Sequence, residues 1–65
     1  MADSSWIDTI SHDADTGTLS VEVLGGKVYD YHDVPKNVAT EFQAADSKGQ
    51  YHNAYIRDEF HYDVR

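Results

Sequence analysis

Apolar and polar residues alternate most regularly from Thr18 to Val23, with Leu19, Val21 and Val23 on one side of an extended chain and Thr18, Ser20 and Glu22 on the other. That pattern predicts a half-buried β-strand. Upstream, Trp6, Ile7 and Ile10 alternate less cleanly and suggest another strand from about Ser5 to His12, after a flexible tail over residues 1–4. The intervening Asp13-Ala14-Asp15-Thr16-Gly17 reads as a turn, in which Asp side chains accept from nearby amides and Gly17 takes a positive φ. Downstream, Gly25-Gly26 precedes Val28-Tyr29-Asp30-Tyr31-His32, which predicts a hairpin. A two-residue Gly-Gly turn would set Val21 opposite Asp30, whereas a three-residue loop over Leu24 to Gly26 sets Val21 opposite Tyr29 and Leu19 opposite Tyr31. The second register is preferred because it gathers Leu19, Val21, Val23, Tyr29 and Tyr31 on one face.

The period then changes. Asp33-Val34-Pro35 opens a helix, with proline near the first helical position and Asp33 beside the positive helix end. Val38, Phe42 and Ala45 recur at helical spacing and Val34 is placed as a staple, so this helix should reach about Ala45 and face the core. A second helix is expected from a cap at Asp46 or Ser47 to about Asp58, followed by an aromatic tail, Glu59 to Arg65, able to dock. These elements amount to an α+β domain with a three-stranded antiparallel sheet against two helices, in the order βββαα.

At 65 residues the chain supports a single domain over residues 1–65, and without cysteine it has neither a disulfide nor a thiolate metal site. Stability must come from packing or self-association. Twelve acidic against five basic residues give a formal charge of −7, which repels nucleic acid and anionic membrane at long range, so a phosphate would have to be captured locally. The acidity fits a protein of a salt-loving organism as well as an ordinary bacterial or phage protein. The N-terminus lacks the basic and apolar regions of a signal peptide and no run suits a membrane span, so a cytoplasmic location without membrane partners is expected.

The blocks Ser-Ser-x-Ile-x-x-Ile, Asp-x-x-Thr-Gly-Thr-Leu-x-Val-x-Val, Val-Tyr-x-Tyr-x-x-Val-Pro and Ser-Lys-Gly-x-Tyr-x-Asn-x-x-Ile-Arg occur in that order from about Ser4 to Tyr62. In this the chain resembles the KTSC domain family, named for the C-terminus of some lysyl-tRNA synthetases and also found as free-standing small proteins. The resemblance implies an RNA-binding role. Its last block falls on Ser47, Lys48, Gly49, Tyr51, Asn53, Ile56 and Arg57, and its Tyr-x-Tyr on Tyr29 and Tyr31. The resemblance also implies a basic last helix and tail, whereas Asp58 and Glu59 follow Arg57 here.

The residues support a site in the same place. On a regular helix Gly49, Asn53 and Arg57 form one stripe, beginning where the amides near Ser47 and Lys48 could hold an anion. There Gly49 would allow close approach, Lys48 would supply charge, Asn53 could read a ribose or base edge and Arg57 could pair or stack. The packing alternative has Ser47 as a cap, Gly49 against the sheet, and Asn53 and Arg57 holding the C-terminal segment or pairing with a carboxylate. Tyr29 and Tyr31, and likewise Tyr51 and Tyr55, could stack bases or serve the core.

His12, His32, His52 and His61 match no metal-ligand spacing, Asp13, Asp15 and Thr16 lack the rest of a calcium loop, and no catalytic motif is present. No enzyme, cofactor or metal is expected. The leading expectation is a non-catalytic binding domain recognising RNA or a nucleotide through Ser47, Lys48, Gly49, Tyr51, Asn53 and Arg57 with Tyr29 and Tyr31. Its rivals are a protein-interaction module, as a homo-oligomer or with a basic partner, and a phage-type protein sequestering a small nucleotide signal.

Overall fold

The computed structural model describes residues 6–65, so the expected tail over 1–4 and Ser5 lie outside the described residues. Strands β1 (Ile7–Asp13), β2 (Thr18–Val23) and β3 (Val28–Tyr31) come first. Helix α1 (Lys36–Ala44) and the single-turn helix α2 (Lys48–Tyr51) follow, and α2 runs into a π-helical turn (His52–Ile56) before strand β4 (Tyr62–Val64). The strands form one antiparallel sheet in the order β1-β2-β3-β4.

The first turn is held as its residues dictate. The Asp13 carboxylate accepts from the Asp15 amide at 2.9 Å. Gly17 has φ 75°, a left-handed conformation that costs a residue with a Cβ. Its carbonyl accepts from the Val34 amide at 2.9 Å, tying this turn to the chain entering α1. In the second hairpin Leu19 faces Tyr31 and Val21 faces Tyr29, the register of the three-residue loop, and the Val23 amide closes that loop on the Lys27 carbonyl at 2.9 Å.

The sheet has four strands, not the three expected, and the order is βββααβ. The tail does dock, by adding Tyr62–Val64 to the free edge of β3, with Tyr31 facing Tyr62 and Tyr29 facing Val64. Three residues are too few to show a period-2 pattern, so this strand has no signature of its own in the sequence. Arg65 extends the pairing through reciprocal bonds with Val28, its amide donating at 2.7 Å.

The helices also depart from expectation. Pro35 occupies the N-cap of α1 without a side-chain cap, its carbonyl accepting from Val38 and Ala39, while Asp33 adopts φ 59°. The helix stops at Ala44 because Ala45 turns extended, and the second helix does not run unbroken to Asp58. Ser47 caps α2 as expected, accepting the Gln50 amide at 3.3 Å. The regular spiral then widens, with the Arg57 amide bonding the His52 carbonyl at 2.8 Å, five residues back.

Packing follows from these elements. Leu19, Val21 and Tyr31 from the sheet, Ala39 and Phe42 from α1, Val34 before it and Ile56 from the π turn make the buried core. Burying Phe42 and Leu19 contributes on the order of 2 kcal/mol each. Strand alternation gives the sheet a second, polar face. There Ser20 donates to Asp30 at 2.7 Å, Arg65 pairs with Asp30 at 2.7 Å, and His32 meets Asp63 at 2.8 Å. The Ser20 hydroxyl first, then the Arg65 guanidinium, holds the Asp30 carboxyl below its ordinary range against the opposing effect of burial. No helix among the described residues is long and apolar enough to cross a membrane.

Candidate functional site: an aromatic pocket under Arg57

The apolar face of the sheet extends beyond the helices that cover it. Val23 and Tyr29 are only half-buried, and Tyr62 on the neighbouring β4 is 49% exposed. With Val21 and Tyr31 they floor a pocket of about 290 Å³ that Trp6 and Leu24 close at the β1 side and His52 and Arg57 close from the π turn. Its volume lies at the lower end of the roughly 300–1,000 Å³ usual for ligand pockets. The lining comprises apolar, aromatic, imidazole and guanidinium side chains, and among the described residues no acidic side chain belongs to it.

The aromatic rings hold one another. Tyr62 leans on Tyr31 and Tyr29 with centroids 5.3 and 5.7 Å apart. His52 presents near-perpendicular contacts to Trp6 at 5.2 Å and to Tyr31 at 5.5 Å. The Tyr31 hydroxyl and His52 Nε2 share a buried hydrogen bond of 2.6 Å, and the Leu24 amide donates to the Trp6 carbonyl at 2.9 Å. The walls are therefore fixed to the sheet and to each other.

Two groups in the pocket have altered acidities. Burial, with the neighbouring Tyr62 and Tyr29 adding to it, pushes the Tyr31 hydroxyl up to about 12, so it keeps its proton at neutral pH. Burial also holds the His52 imidazole below its ordinary value; the Asn53 side chain opposes this and the Arg57 cation reinforces it. His52 is 8% exposed and its Nδ1 has no hydrogen-bond partner. The imidazole is accordingly neutral at physiological pH.

Of the residues singled out in the sequence, Tyr29, Tyr31 and Arg57 come together here. The others do not join them. Ser47 and Tyr51 lie at a separate shallow depression beside α2, where the Tyr51 hydroxyl donates to Glu41 at 3.1 Å and its ring stacks on Phe42 at 5.6 Å. Lys48 donates to the Ala45 carbonyl at 3.3 Å, Gly49 is buried and Asn53 is exposed outside the pocket. Tyr55 is 58% exposed, so the expectation that it serves the core fails for it, while Tyr51 is half-buried against the core.

The stripe of Gly49, Asn53 and Arg57 is broken by the π turn. Five residues of α-helix overshoot one turn by about 140°, but the π turn brings His52 and Arg57, five apart, to the same pocket. A reading based on a regular helical period could not find His52 as the partner of Arg57. Trp6, Leu24 and Tyr62 were missed as well, and the three residues of β4 carry no periodic signal that could have found Tyr62. Among the described residues no cluster of three metal-ligating side chains occurs, and three of the histidines make other contacts: His12 Nε2 bonds the Val34 carbonyl at 2.8 Å, His32 meets Asp63 and His52 meets Tyr31.

Comparison with known proteins places these features in a family. Over 61 residues, 94% of its length, the chain is 38% identical to the lysine–tRNA ligase of Trichormus variabilis. The ligase of Nostoc punctiforme is 36% identical over the same length. The chain spans 11% of the length of these ligases. The crystal structure of a KTSC domain protein from Yersinia pestis superposes with a TM-score of 0.86 at 28% identity, covering all of this chain and 93% of that one. The KTSC domain profile matches residues 3–60, and with the four-stranded α+β fold and the relatives in agreement, the chain belongs to the KTSC domain family.

Proposed function

We propose that this protein is a non-catalytic binding domain that takes one unstacked base of RNA or of a nucleotide into the pocket between Trp6, Tyr31 and Tyr62. The reading rests on one observation: in a chain of charge −7, an aromatic pocket whose lining holds no carboxylate among the described residues is closed by an arginine. A base would stack on the rings, each such contact being worth about 1–3 kcal/mol, and its phosphate would meet Arg57. The same arginine argues against a cationic guest, which aromatic cages otherwise favour. The kinship with lysine–tRNA ligases supports the choice of a nucleotide, although the shared piece is a small part of those enzymes.

The test is an amide and indole ¹⁵N titration with nucleoside monophosphates and a short single-stranded RNA. Shifts should gather on Trp6, Tyr29, Tyr31, His52, Arg57 and Tyr62, and Arg57→Ala should weaken binding roughly tenfold or more, as loss of a charge-assisted bond implies. Shifts confined to Ser47–Tyr51, or an Arg57→Ala variant that binds normally, would refute this site.

A second reading is favoured by the pocket's rim, where Trp6, Leu24 and Tyr62 are exposed large hydrophobic residues. An apolar side chain of a protein partner, or of a second copy, would fill the same space. A molar mass that rises with concentration in light scattering, lost in Leu24→Ser, would establish it in place of the nucleotide.

A further inference from the structure

Taking the pocket as the nucleotide site, we infer that it accepts a single nucleotide, free or at the end of a strand, and rejects an internal segment of a strand. The inference comes from where the five cations lie. Arg57 enters no ion pair and no side-chain hydrogen bond among the described residues, although Asp58 and Glu59 follow it in the chain. Arg65 is committed to Asp30 at 2.7 Å on the opposite sheet face, and Lys48 to the Ala45 carbonyl at 3.3 Å. Lys27 and Lys36 are exposed and outside the pocket lining. One guanidinium thus serves the pocket, enough for one phosphate.

A strand needs more than that. Single strands are held by cationic grooves that track the backbone phosphate after phosphate, and beyond Arg57 the next side chains along this chain are carboxylates. Each further phosphate would meet the net charge of −7 without a counter-charge to receive it. The pocket volume of about 290 Å³ likewise has room for one ring system. A nucleotide with a free side can seat its ring and turn its phosphate to Arg57, whereas an internal one brings a second flanking phosphate for which the described pocket lining holds no further cation.

The experiment uses the quenching of the single tryptophan, Trp6, by uridine and adenosine monophosphates, a linear uridine octanucleotide with a terminal phosphate, and the same octanucleotide circularised. With one phosphate contact, affinity should fall only about threefold between 50 and 200 mM salt, following a slope of about −0.7 per phosphate; four contacts would give roughly 50-fold. The mononucleotides and the linear strand should bind within about tenfold of each other, and the circle should not bind. Preference for the mononucleotide would make the source a free nucleotide, and preference for the linear strand a strand end, both within the inference. A circle that binds like the linear strand, or a loss near 50-fold with salt, would overturn the single-nucleotide inference while leaving the pocket intact. Absence of quenching by every probe would overturn the pocket and this inference together.

Discussion

Replacing Tyr31 with Phe tests the contact on which both the core and the pocket depend. The substitution keeps the ring, which is 3% exposed and packs with Tyr62 and His52, and deletes the hydroxyl that meets His52 Nε2 at 2.6 Å. Because His52 Nδ1 already has no partner and the residue is 8% exposed, the variant leaves both imidazole nitrogens without one in a buried place. Such a loss costs about 1–3 kcal/mol. In a domain of this size, whose total stability is on the order of 3–10 kcal/mol, a central value near 2 kcal/mol corresponds to a fall in Tm of about 8–16 °C. Urea unfolding followed by Trp6 fluorescence should show the midpoint moving down with the slope unchanged. The double variant Tyr31→Phe with His52→Phe, which removes the stranded polar group, should recover at least about 1 kcal/mol relative to the sum of the single changes. A Tyr31→Phe protein within about 0.3 kcal/mol of the parent, or additive single variants, would show that the bond carries no stability and that the pocket wall is not fixed as described.

Three other outcomes follow from the same geometry. Because the Tyr31 hydroxyl is raised to about 12, its contribution is fully present below the unfolded value near 10 and is lost as pH climbs from 10 to 12; the unfolding free energy from urea titration should fall by about 2–3 kcal/mol over that window, and less in Tyr31→Phe. His52 is displaced the other way, so the unfolded chain takes up its proton first: stability should be steady above about pH 6.5, decline as pH falls below it, and lose that slope in His52→Phe. Gly17→Ala should cost about 1–2 kcal/mol in thermal unfolding, chiefly from φ 75°, since an added Cβ would lie at an ordinary 3.6 Å from Asp33 Cα; an unchanged Tm would mean that the turn relaxes.

What the sequence revealed follows the length of its repeating signals. The alternation in Thr18–Val23 and the glycine pair fixed the central hairpin, because a one-residue slip would have sent Leu19 and Val21 to the polar face. The core of α1 was legible for a similar reason, as Val34 and Phe42 are buried where the helical spacing put them. β4 was not, since three residues carry no period, and its identity as a strand comes from the edge that β3 leaves free. The site was half legible. Tyr29, Tyr31 and Arg57 do line one pocket, but the stripe through Gly49 and Asn53 assumed a regular helix that His52–Ile56 does not form. No local residue preference announces a π turn here; it appears only once His52 must reach Tyr31 and Ile56 must reach the core together.

That requirement also explains why a pocket exists. α1 has nine residues, about 14 Å of helix, whereas the six residues of β2 extend about 20 Å. The helical layer therefore runs out before the apolar sheet face does, leaving Val23 and Tyr29 without a roof. A longer helix would have turned these residues into ordinary core. Instead the chain leaves α2 through a widened turn that aims His52 inward and Arg57 over the gap, then returns as β4 so that Tyr62 walls the open edge. Each of these placements is stabilised by contacts that a purely structural role would also need, except one. Among the described residues the Arg57 guanidinium is left without a carboxylate, in a chain where acids outnumber bases twelve to five, and it lines an aromatic pocket. A cation unpaired among the described residues of so acidic a protein is the feature that packing alone does not explain, and on the proposed reading it would favour an anionic ligand.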